Sequence, residues 1–238
     1  LFAYGQTGSG KTYTMMGSLN AEAERGVIPR LCEELFQRMH TEREALSDVS
    51  FKLEASYMEI YTEQVRDLLC GNESGSLRVR QHPLTGPFVD GLSSYTVPDF
   101  KAVHKLLVKG DRARSTVATR MNEHSSRSHA IFTMSLTRLQ LISSTNTRTR
   151  NSKIHLVDLA GSERVAMSGV VGQQFKEATS INKSLSTLGR VIDILLENAQ
   201  LKSKNARPGL PPYRDSLLTW ILSESIGGNS RTFMLAAI

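Results

Sequence analysis

The sequence has few cysteines, no long apolar run and no N-terminal signal for secretion. Its two cysteines, Cys32 and Cys70, lie far apart without metal-ligand spacing, which is typical of free thiols in a reducing compartment. No apolar stretch approaches the roughly 18 to 20 residues that a membrane helix needs. These absences predict a protein of the cytosol or nucleus, without a disulfide framework and without membrane contact from this segment.

The composition is that of a globular domain. The 238 residues are 39% hydrophobic and 22% charged, enough for one substantial core. The formal net charge of +6 permits an acidic partner without identifying one. Since no internal repeat or long low-complexity segment divides the chain, we expect one domain over residues 1–238.

Strand and helix patterns alternate along the chain, which predicts an α/β fold. Residues 49–57 alternate apolar and polar side chains, as expected of a half-buried strand. Residues 129–136 and 153–161 are apolar enough for core strands, and residues 232–238 have a further strand pattern. A central sheet is therefore expected.

The helical patterns have apolar residues at three- and four-residue spacing. They cover residues 28–39, 100–107, 180–197 and 213–222, of which the third segment is the longest. Asp99 is placed to cap the second of these helices. Between these elements, the Ser- and Thr-rich stretch 139–153 and the basic stretch 199–212 are predicted as loops.

Residues 5–12, GQTGSGKT, fit the phosphate-loop pattern G-x-x-x-x-G-K-[ST] in full. The glycines let the backbone turn its N–H groups around phosphate oxygens, Lys11 offers a charge to the β and γ phosphates, and the Thr12 hydroxyl suits Mg²⁺. A Gly-rich turn without a ligand is the alternative. The predicted nucleotide-binding residues are Gly5, Gln6, Thr7, Gly8, Ser9, Gly10, Lys11 and Thr12.

Two further segments have residues suited to sensing a γ-phosphate. In VDLAG, Asp158 is placed to hold a metal through water and the Gly161 N–H to meet the γ-phosphate. In NEHSSRSH, Ser125 and Ser126 offer hydroxyls to phosphate, metal or the attacking water. Each segment alone is also compatible with a turn or a solvated loop. Their occurrence together with the phosphate loop favours a nucleotide switch.

With these motifs the sequence resembles the kinesin motor family. GQTGSGKTYTM, NEHSSRSH, HLVDLAGSER and SINKSLSTLGRVI look like the family's phosphate loop, two switches and main microtubule-binding helix, in the family's order. LRVRQHPLTGPFVDGL and YRDSLLTWIL resemble its third class, which carries vesicles and organelles. The resemblance covers residues 1–238. It implies a P-loop NTPase fold, a central mixed β-sheet flanked by helices on both faces.

Related nucleotide-binding families fit less well. Myosins share a similar core but lack SSRSH in their serine loop. GTP-binding switches read guanine with N-K-x-D, and the nearest string here, NKSL, lacks the Asp. The resemblance therefore implies ATP, with Mg²⁺, rather than GTP.

The resemblance assigns roles in hydrolysis. Arg127 and Glu163 look like the salt bridge that joins the switches when ATP is bound, with Glu163 a route for the proton of the lytic water; an ordinary surface ion pair is the alternative. The implied catalytic residues are Ser125, Ser126, Arg127, Gly161 and Glu163, and the implied metal-binding residues are Thr12, Ser126 and Asp158.

The resemblance also implies a microtubule surface that includes the loop 165–176 and the helix that follows it. Because tubulin is strongly acidic, bases on this surface would speed encounter and make binding salt-sensitive. Each base by itself is equally compatible with a solvated face. The implied microtubule-binding residues are Lys176, Lys183, Lys202, Lys204, Arg207 and Arg214.

Two departures from the family pattern leave alternatives open. The link before YRDS has scattered bases where the class has a dense lysine run, and Gln174 stands where the family has Arg. These departures favour a microtubule-binding module that holds nucleotide weakly and does not walk, whereas the complete switches favour an ATP-hydrolysing motor. A generic nucleotide switch or kinase is a third hypothesis, against which SSRSH and INKSL count.

The phosphate loop begins only four residues after Leu1. The resemblance implies two earlier strands, an adenine-contacting R-x-R-P segment and a final helix and neck, none of which is in this sequence. We expect the first of those strands to lie between the phosphate-loop strand and residues 232–238, so that its loss leaves two rows of unpaired backbone groups costing about 1 to 3 kcal/mol each. An incomplete motor domain, inactive alone, is therefore expected.

In the cell, the resemblance implies a location in the cytoplasm on the microtubule cytoskeleton. It implies no nucleic-acid partner, and it implies cargo bound through tail regions outside this sequence.

Overall fold

The computed structural model describes most of the chain. The described residues are 1–19, 21–71, 75–118, 124–143, 146–163, 173–201 and 208–238, without the side chains of 116–118, 124–125, 173–176 and 178. Their strands are β1 (Phe2–Gly5), β2 (Val49–Tyr61), β3 (Gln64–Asp67), β4 (Arg78–His82), β5 (Gly86–Asp90), β6 (Tyr95–Thr96), β7 (His129–Ser143), β8 (Asn146–Asp158) and β9 (Met234–Ala237). Their α-helices are α1 (Lys11–Met16), α2 (Val27–Ala45), α3 (Phe100–Ala118), α4 (Gln173–Leu201), α5 (Leu217–Ile221) and α6 (Ser223–Gly227).

The main sheet is mixed, as expected. Its strand order is β3-β2-β7-β8-β1-β9, with β6 added beside β2, while β4 and β5 form a separate hairpin. β1 runs parallel to β8 and to β9, and the other neighbours in the main sheet are antiparallel. The phosphate-loop strand β1 therefore lies inside the sheet.

The expectation of a strand between β1 and residues 232–238 is wrong. β9 pairs directly with β1, from Phe2 opposite Met234 to Gly5 opposite Ala237. On its other side β1 accepts a hydrogen bond from Leu159 N at Ala3 O, 3.2 Å. Because β1 makes hydrogen bonds along both sides, the two rows of unpaired groups predicted beside it do not exist.

The stretch 139–153, predicted as a loop, belongs mostly to two long strands. β7 continues to Ser143 and β8 begins at Asn146, and their antiparallel register extends out to Leu141 opposite Thr147. Threonine has a good strand propensity, and pairing satisfies the backbone even where neither face is buried. These strand ends are polar because they are exposed. A strand that is polar on both faces has no apolar periodicity, so its sequence pattern looks like that of a loop.

Helices cover both faces of the sheet, as the family resemblance implied. On one face, Phe132 packs in a cluster with Leu107 of α3 and with residues of α1 and α2. On the other face, the neighbouring Ile131 packs with Leu188 of α4 and Leu218 of α5. Since successive strand residues point to opposite faces, adjacent positions of β7 supply both cores.

Most helical predictions are confirmed, including the cap of α3, where Asp99 Oδ1 accepts a hydrogen bond from Ala102 N at 2.7 Å. The helix predicted over 213–222 is divided instead. A 3₁₀ turn over Tyr213–Asp215 is followed by α5, whose N-terminus Ser216 caps by accepting a hydrogen bond from Leu218 N. Among the helices of the described residues, none combines the length and apolar character needed to cross a membrane.

Candidate functional site

The phosphate loop connects β1 to α1 at one end of the sheet. Gly8 and Gly10 have φ of 79° and 89°, a left-handed backbone that glycine adopts without strain. A Cβ at either position would meet no atom within 4 Å, so conformation rather than space requires glycine there. The loop thus has the backbone geometry predicted from its glycines.

Lys11 lies under this loop and is buried, with its Nζ donating to the Gln6 carbonyl at 2.6 Å. Burial lowers the pKa of the Lys11 ammonium, and the nearby carboxylates of Asp158 and Glu163 act in the opposite direction. A buried cation within a glycine-rich loop suits a polyphosphate. The role of Lys11 toward the β and γ phosphates stays a prediction.

Thr12 and Asp158 meet although they are 146 positions apart in the chain: Thr12 Oγ1 donates to Asp158 Oδ2 at 2.7 Å. The same carboxylate oxygen accepts a hydrogen bond from Arg114 Nη1 at 2.8 Å. Arg114 Nε also lies 3.7 Å from Glu59 of β2. Arg114 thus bridges two buried carboxylates beside the phosphate loop.

These residues fit a nucleotide and Mg²⁺. Asp158 Oδ1 and Ser9 Oγ are buried and have no hydrogen-bond partner among the described residues. Buried polar atoms without partners are uncommon in proteins, and oxygen atoms are the ligands that Mg²⁺ prefers. The hydroxyl and carboxylate set of Thr12 and Asp158 is therefore chemically suited to the predicted metal.

The two switch segments touch through their backbones. Gly161 N donates to Ser126 O at 2.8 Å, and Ser162 N donates to Gly5 O of the phosphate loop at 3.1 Å. Ser126 belongs to a 3₁₀ turn over His124–Arg127. The three motifs that the sequence analysis grouped together are thus neighbours in space. The side chain of Ser125 lies outside the described residues.

The predicted ion pair between Arg127 and Glu163 is not formed in this structure. Glu163 instead accepts two hydrogen bonds from Thr7, one from its backbone N at 2.9 Å and one from its hydroxyl. Burial alone would raise the pKa of Glu163, but the hydrogen bonds from Thr7 lower it overall. Glu163 is thereby held as a carboxylate on the phosphate loop.

Arg127 has a different partner, Glu177 of α4. Arg127 Nη1 lies 2.5 Å from Glu177 Oε2, and the hydroxyl of Tyr61 donates to the other carboxylate oxygen. Glu177 is almost fully buried, so pairing with a cation and a hydroxyl compensates for its desolvation. The first switch is therefore joined to α4, rather than to the second switch, in this arrangement.

Sequence reasoning missed three residues of this region: Arg114, Glu177 and His129. All three are polar side chains that the structure buries. The position of His129 inside SSRSH was the one available signal, because it lies within a switch motif. Arg114 and Glu177 lie on helices with unremarkable charge patterns, and nothing local marks them.

Of the predicted microtubule-binding residues, the structure describes the side chains of two. Lys183 of α4 has an exposed side chain whose Nζ lies 4.0 Å from Glu63, and the guanidinium of Arg214 stacks over the Trp220 ring at 5.3 Å. Lys183 thus lies on α4, and Arg214 lies in the 3₁₀ turn before α5. Lys202, Lys204, Arg207 and the side chain of Lys176 lie outside the described residues.

Known proteins resemble this chain over its whole length. The kinesin motor domain family model matches residues 1–238. Kinesin-like protein unc-104 of Caenorhabditis elegans is 53% identical over 239 residues, and kinesin-like protein KIF1B of Rattus norvegicus is 52% identical over 242 residues. The chain is covered in full in both alignments but spans only 15% and 13% of these relatives.

Solved structures give the same result. A fast kinesin, described for its ATPase mechanism and interactions with microtubules, has a TM-score of 0.86 and 41% identity. A KIF14 dimer with AMP-PNP in complex with a microtubule has a TM-score of 0.82 and 44% identity. The whole chain is covered, together with 63% and 64% of those chains. These matches confirm the resemblance found in the sequence, and the chain belongs to the kinesin motor domain family.

Proposed function

We propose that this chain is the nucleotide-hydrolysing part of an ATP-driven, microtubule-based motor. The observation that carries the proposal is the backbone contact of Gly161 with Ser126, next to the hydrogen bond from Ser162 N to Gly5 O of the phosphate loop. This contact supports the proposal because it holds both switch segments together beside the phosphate loop, where we expect the γ-phosphate to bind. Since the chain spans a minor part of its curated relatives, the motor activity is proposed for the full-length protein.

ATP is the proposed substrate, and the phosphate loop is its proposed cradle. The N–H groups around Gly8 and Gly10 and the ammonium of Lys11 neutralise its phosphate charge. Thr12, Ser126 and Asp158 would hold Mg²⁺, which when bound supplies charge neutralisation between the β- and γ-phosphate oxygens. Gly5, Gln6, Thr7 and Ser9 complete the proposed loop.

The contacts of Arg127 and Glu163 suggest how the switches close. For these two side chains to pair, Glu163 must leave Thr7 and Arg127 must leave Glu177. Glu163 would exchange two hydrogen bonds for an ion pair, whereas the buried Glu177 would keep only the hydroxyl of Tyr61. Because this exchange costs free energy at Glu177, we propose that binding of a γ-phosphate drives it. We propose that closure places Glu163 to accept the proton of the lytic water.

The same exchange reaches the proposed filament surface. Glu177 lies on α4, which also bears Lys183. Release of Arg127 changes the charge balance at the start of this helix. Lys183, Arg214 and the bases over residues 202–207, with Lys176, are proposed to face acidic tubulin. A microtubule-bound KIF14 relative supports microtubule binding, and we propose a cytoskeletal location for the full-length protein on that ground.

Steady-state ATPase of the full-length protein, measured with increasing microtubule concentration, tests the proposal. A saturable rise in turnover is expected, and Glu163→Ala should abolish it while preserving ATP binding. Microtubule binding without ATP hydrolysis would support a passive binding module instead. Hydrolysis that microtubules leave unchanged would support a generic nucleotide switch.

A further inference from the structure

One buried polar side chain contacts both a switch segment and the proposed filament helix. His129 is the first residue of β7, two positions after Arg127, and it is 3% exposed. Its Nδ1 lies 3.0 Å from Ala160 N, and its Nε2 lies 2.8 Å from Ser184 Oγ of α4. Ser184 is 2% exposed, so the whole junction is removed from water.

Donor chemistry fixes the direction of every hydrogen bond in this junction. A backbone N–H only donates, so Nδ1 of His129 must accept from Ala160. The neutral ring then has its proton on Nε2, which donates to Ser184 Oγ. The hydroxyl of Ser184 in turn donates to the carbonyl of Ile181 at 2.9 Å. The result is a continuous polar chain from the second switch to the backbone of α4.

The charge state of the ring is consistent with this direction. Burial, followed by the nearby charge of Arg114, lowers the pKa of His129 to about 3. The imidazole is therefore neutral at physiological pH. Its two nitrogens lie at opposite sides of a rigid planar ring, so the ring cannot satisfy both partners if one of them moves alone.

Ala160 is directly bonded to Gly161, whose N–H contacts Ser126 O in this structure. For that N–H to face a γ-phosphate, as the proposed function requires, it must turn away from Ser126. We expect this turn to move the adjoining Ala160 amide, which donates to Nδ1 of His129. The displacement would then reach Ser184 through the planar imidazole ring of His129.

We propose that His129 is a positioning residue that transmits the position of Ala160 and Gly161 to α4 through Ser184. This inference rests on the proposed function, since it assigns a coupling role within the same motor. It differs from the exchange of Arg127 between carboxylates because it connects the second switch to the helix, through a neutral side chain at the end of the first switch motif. A core histidine that only fills space and satisfies its hydrogen bonds is the competing explanation.

The test uses the full-length protein with Ser184→Ala, which removes the link to α4 but keeps the bond from Ala160 to His129. Ser184→Thr retains a hydroxyl and is the conservative variant. Ser186→Ala is the matched control, because Ser186 makes the same bond to the α4 backbone, to Lys183 O at 3.1 Å, without contacting His129. Nucleotide affinity of each variant verifies that the site is folded.

The first readout is the ratio of microtubule-stimulated to basal ATPase. Coupling energies between sites correspond to roughly 5- to 150-fold effects, so Ser184→Ala should lower this ratio at least about fivefold. Ser184→Thr and Ser186→Ala should retain it. A wild-type ratio in Ser184→Ala, or an equal loss in Ser184→Thr, would overturn the proposal.

Hydrogen exchange provides a readout that a purely structural role would not change. In the wild-type protein, exchanging ADP for AMP-PNP should alter exchange in peptides covering both residues 156–163 and residues 177–190. In Ser184→Ala, the difference between nucleotides should persist in residues 156–163 and disappear in residues 177–190. Persistence of both differences would refute coupling through Ser184. Absence of both in the wild type, together with unstimulated ATPase, would instead refute the proposed function.

Discussion

Replacing Arg114 with methionine removes the cation that lies between two buried carboxylates. Arg114 is 4% exposed and contacts Asp158 at 2.8 Å and Glu59 at 3.7 Å. Loss of one partner from a buried ion pair costs about 3 to 5 kcal/mol, because the remaining charge stays desolvated. Typical folding stabilities are about 5 to 15 kcal/mol, so this substitution removes a large part of the total.

Arg66 provides a control within the same network. Its guanidinium lies 3.5 Å from Glu59, but its own side chain is 33% exposed. Solvent screens such a pair, and we expect Arg66→Met to cost no more than about 1 kcal/mol. Adding Glu59→Gln to Arg114→Met should recover part of the loss, since it removes one of the two buried charges.

Pulse proteolysis of the full-length protein in urea measures the effect, with peptides from residues 1–238 followed by mass spectrometry. With a urea dependence of about 2 to 3 kcal/mol per molar, Arg114→Met should lower the midpoint by roughly 1 to 2.5 M and Arg66→Met by no more than about 0.5 M. Equal midpoints for the two variants would show that a buried cation contributes no more to stability than a partly exposed one, and would refute the prediction.

Three further predictions concern the site and its surroundings. Lys11→Ala should weaken nucleotide binding roughly 10- to 100-fold, the value of a charge-assisted contact, and Thr12→Asn should abolish Mg²⁺-dependent turnover; equilibrium binding of a fluorescent nucleotide and steady-state kinetics measure these effects. Glu163→Ala should bind ATP but lose hydrolysis by about 100-fold or more in single-turnover experiments, whereas normal turnover would exclude it as a route for the proton. Burial lowers the pKa of His129 to about 3 and of His155 to about 4, so below pH 6.5 the unfolded chain binds protons that the folded chain does not. Stability should therefore fall with decreasing pH between about 6.5 and 4, by up to about 1.4 kcal/mol per pH unit for each histidine, and His155→Gln should reduce this slope in urea titrations.

The phosphate loop was predictable from sequence because its requirements are local. Left-handed backbone at Gly8 and Gly10 and the adjoining Lys11 lie within a few residues of one another. The strands and long helices were predictable for a similar reason, since burial of one face imposes periodicity on consecutive residues. The family resemblance then indicated the role of each motif, because the motifs follow one another along the chain in the family's order.

The contacts that join the switches to the rest of the fold were not predictable in this way. Arg114 and Asp158 are 44 positions apart, Arg127 and Glu177 are 50 apart, and His129 and Ser184 are 55 apart. Their partners depend on which helix covers which face of the sheet. The direct pairing of β1 with β9 has the same origin, because strand order is set by the whole topology and not by either strand.

In the full-length protein, nucleotide turnover at this site is proposed to drive movement along microtubules. The most direct test of this proposal is a gliding assay in which the full-length protein is fixed to a surface and microtubules are observed before and after ATP is added. Directed, ATP-dependent gliding is expected for the wild-type protein, and Glu163→Ala should hold microtubules without moving them. Microtubules that bind the wild-type protein but only diffuse in ATP would contradict the account.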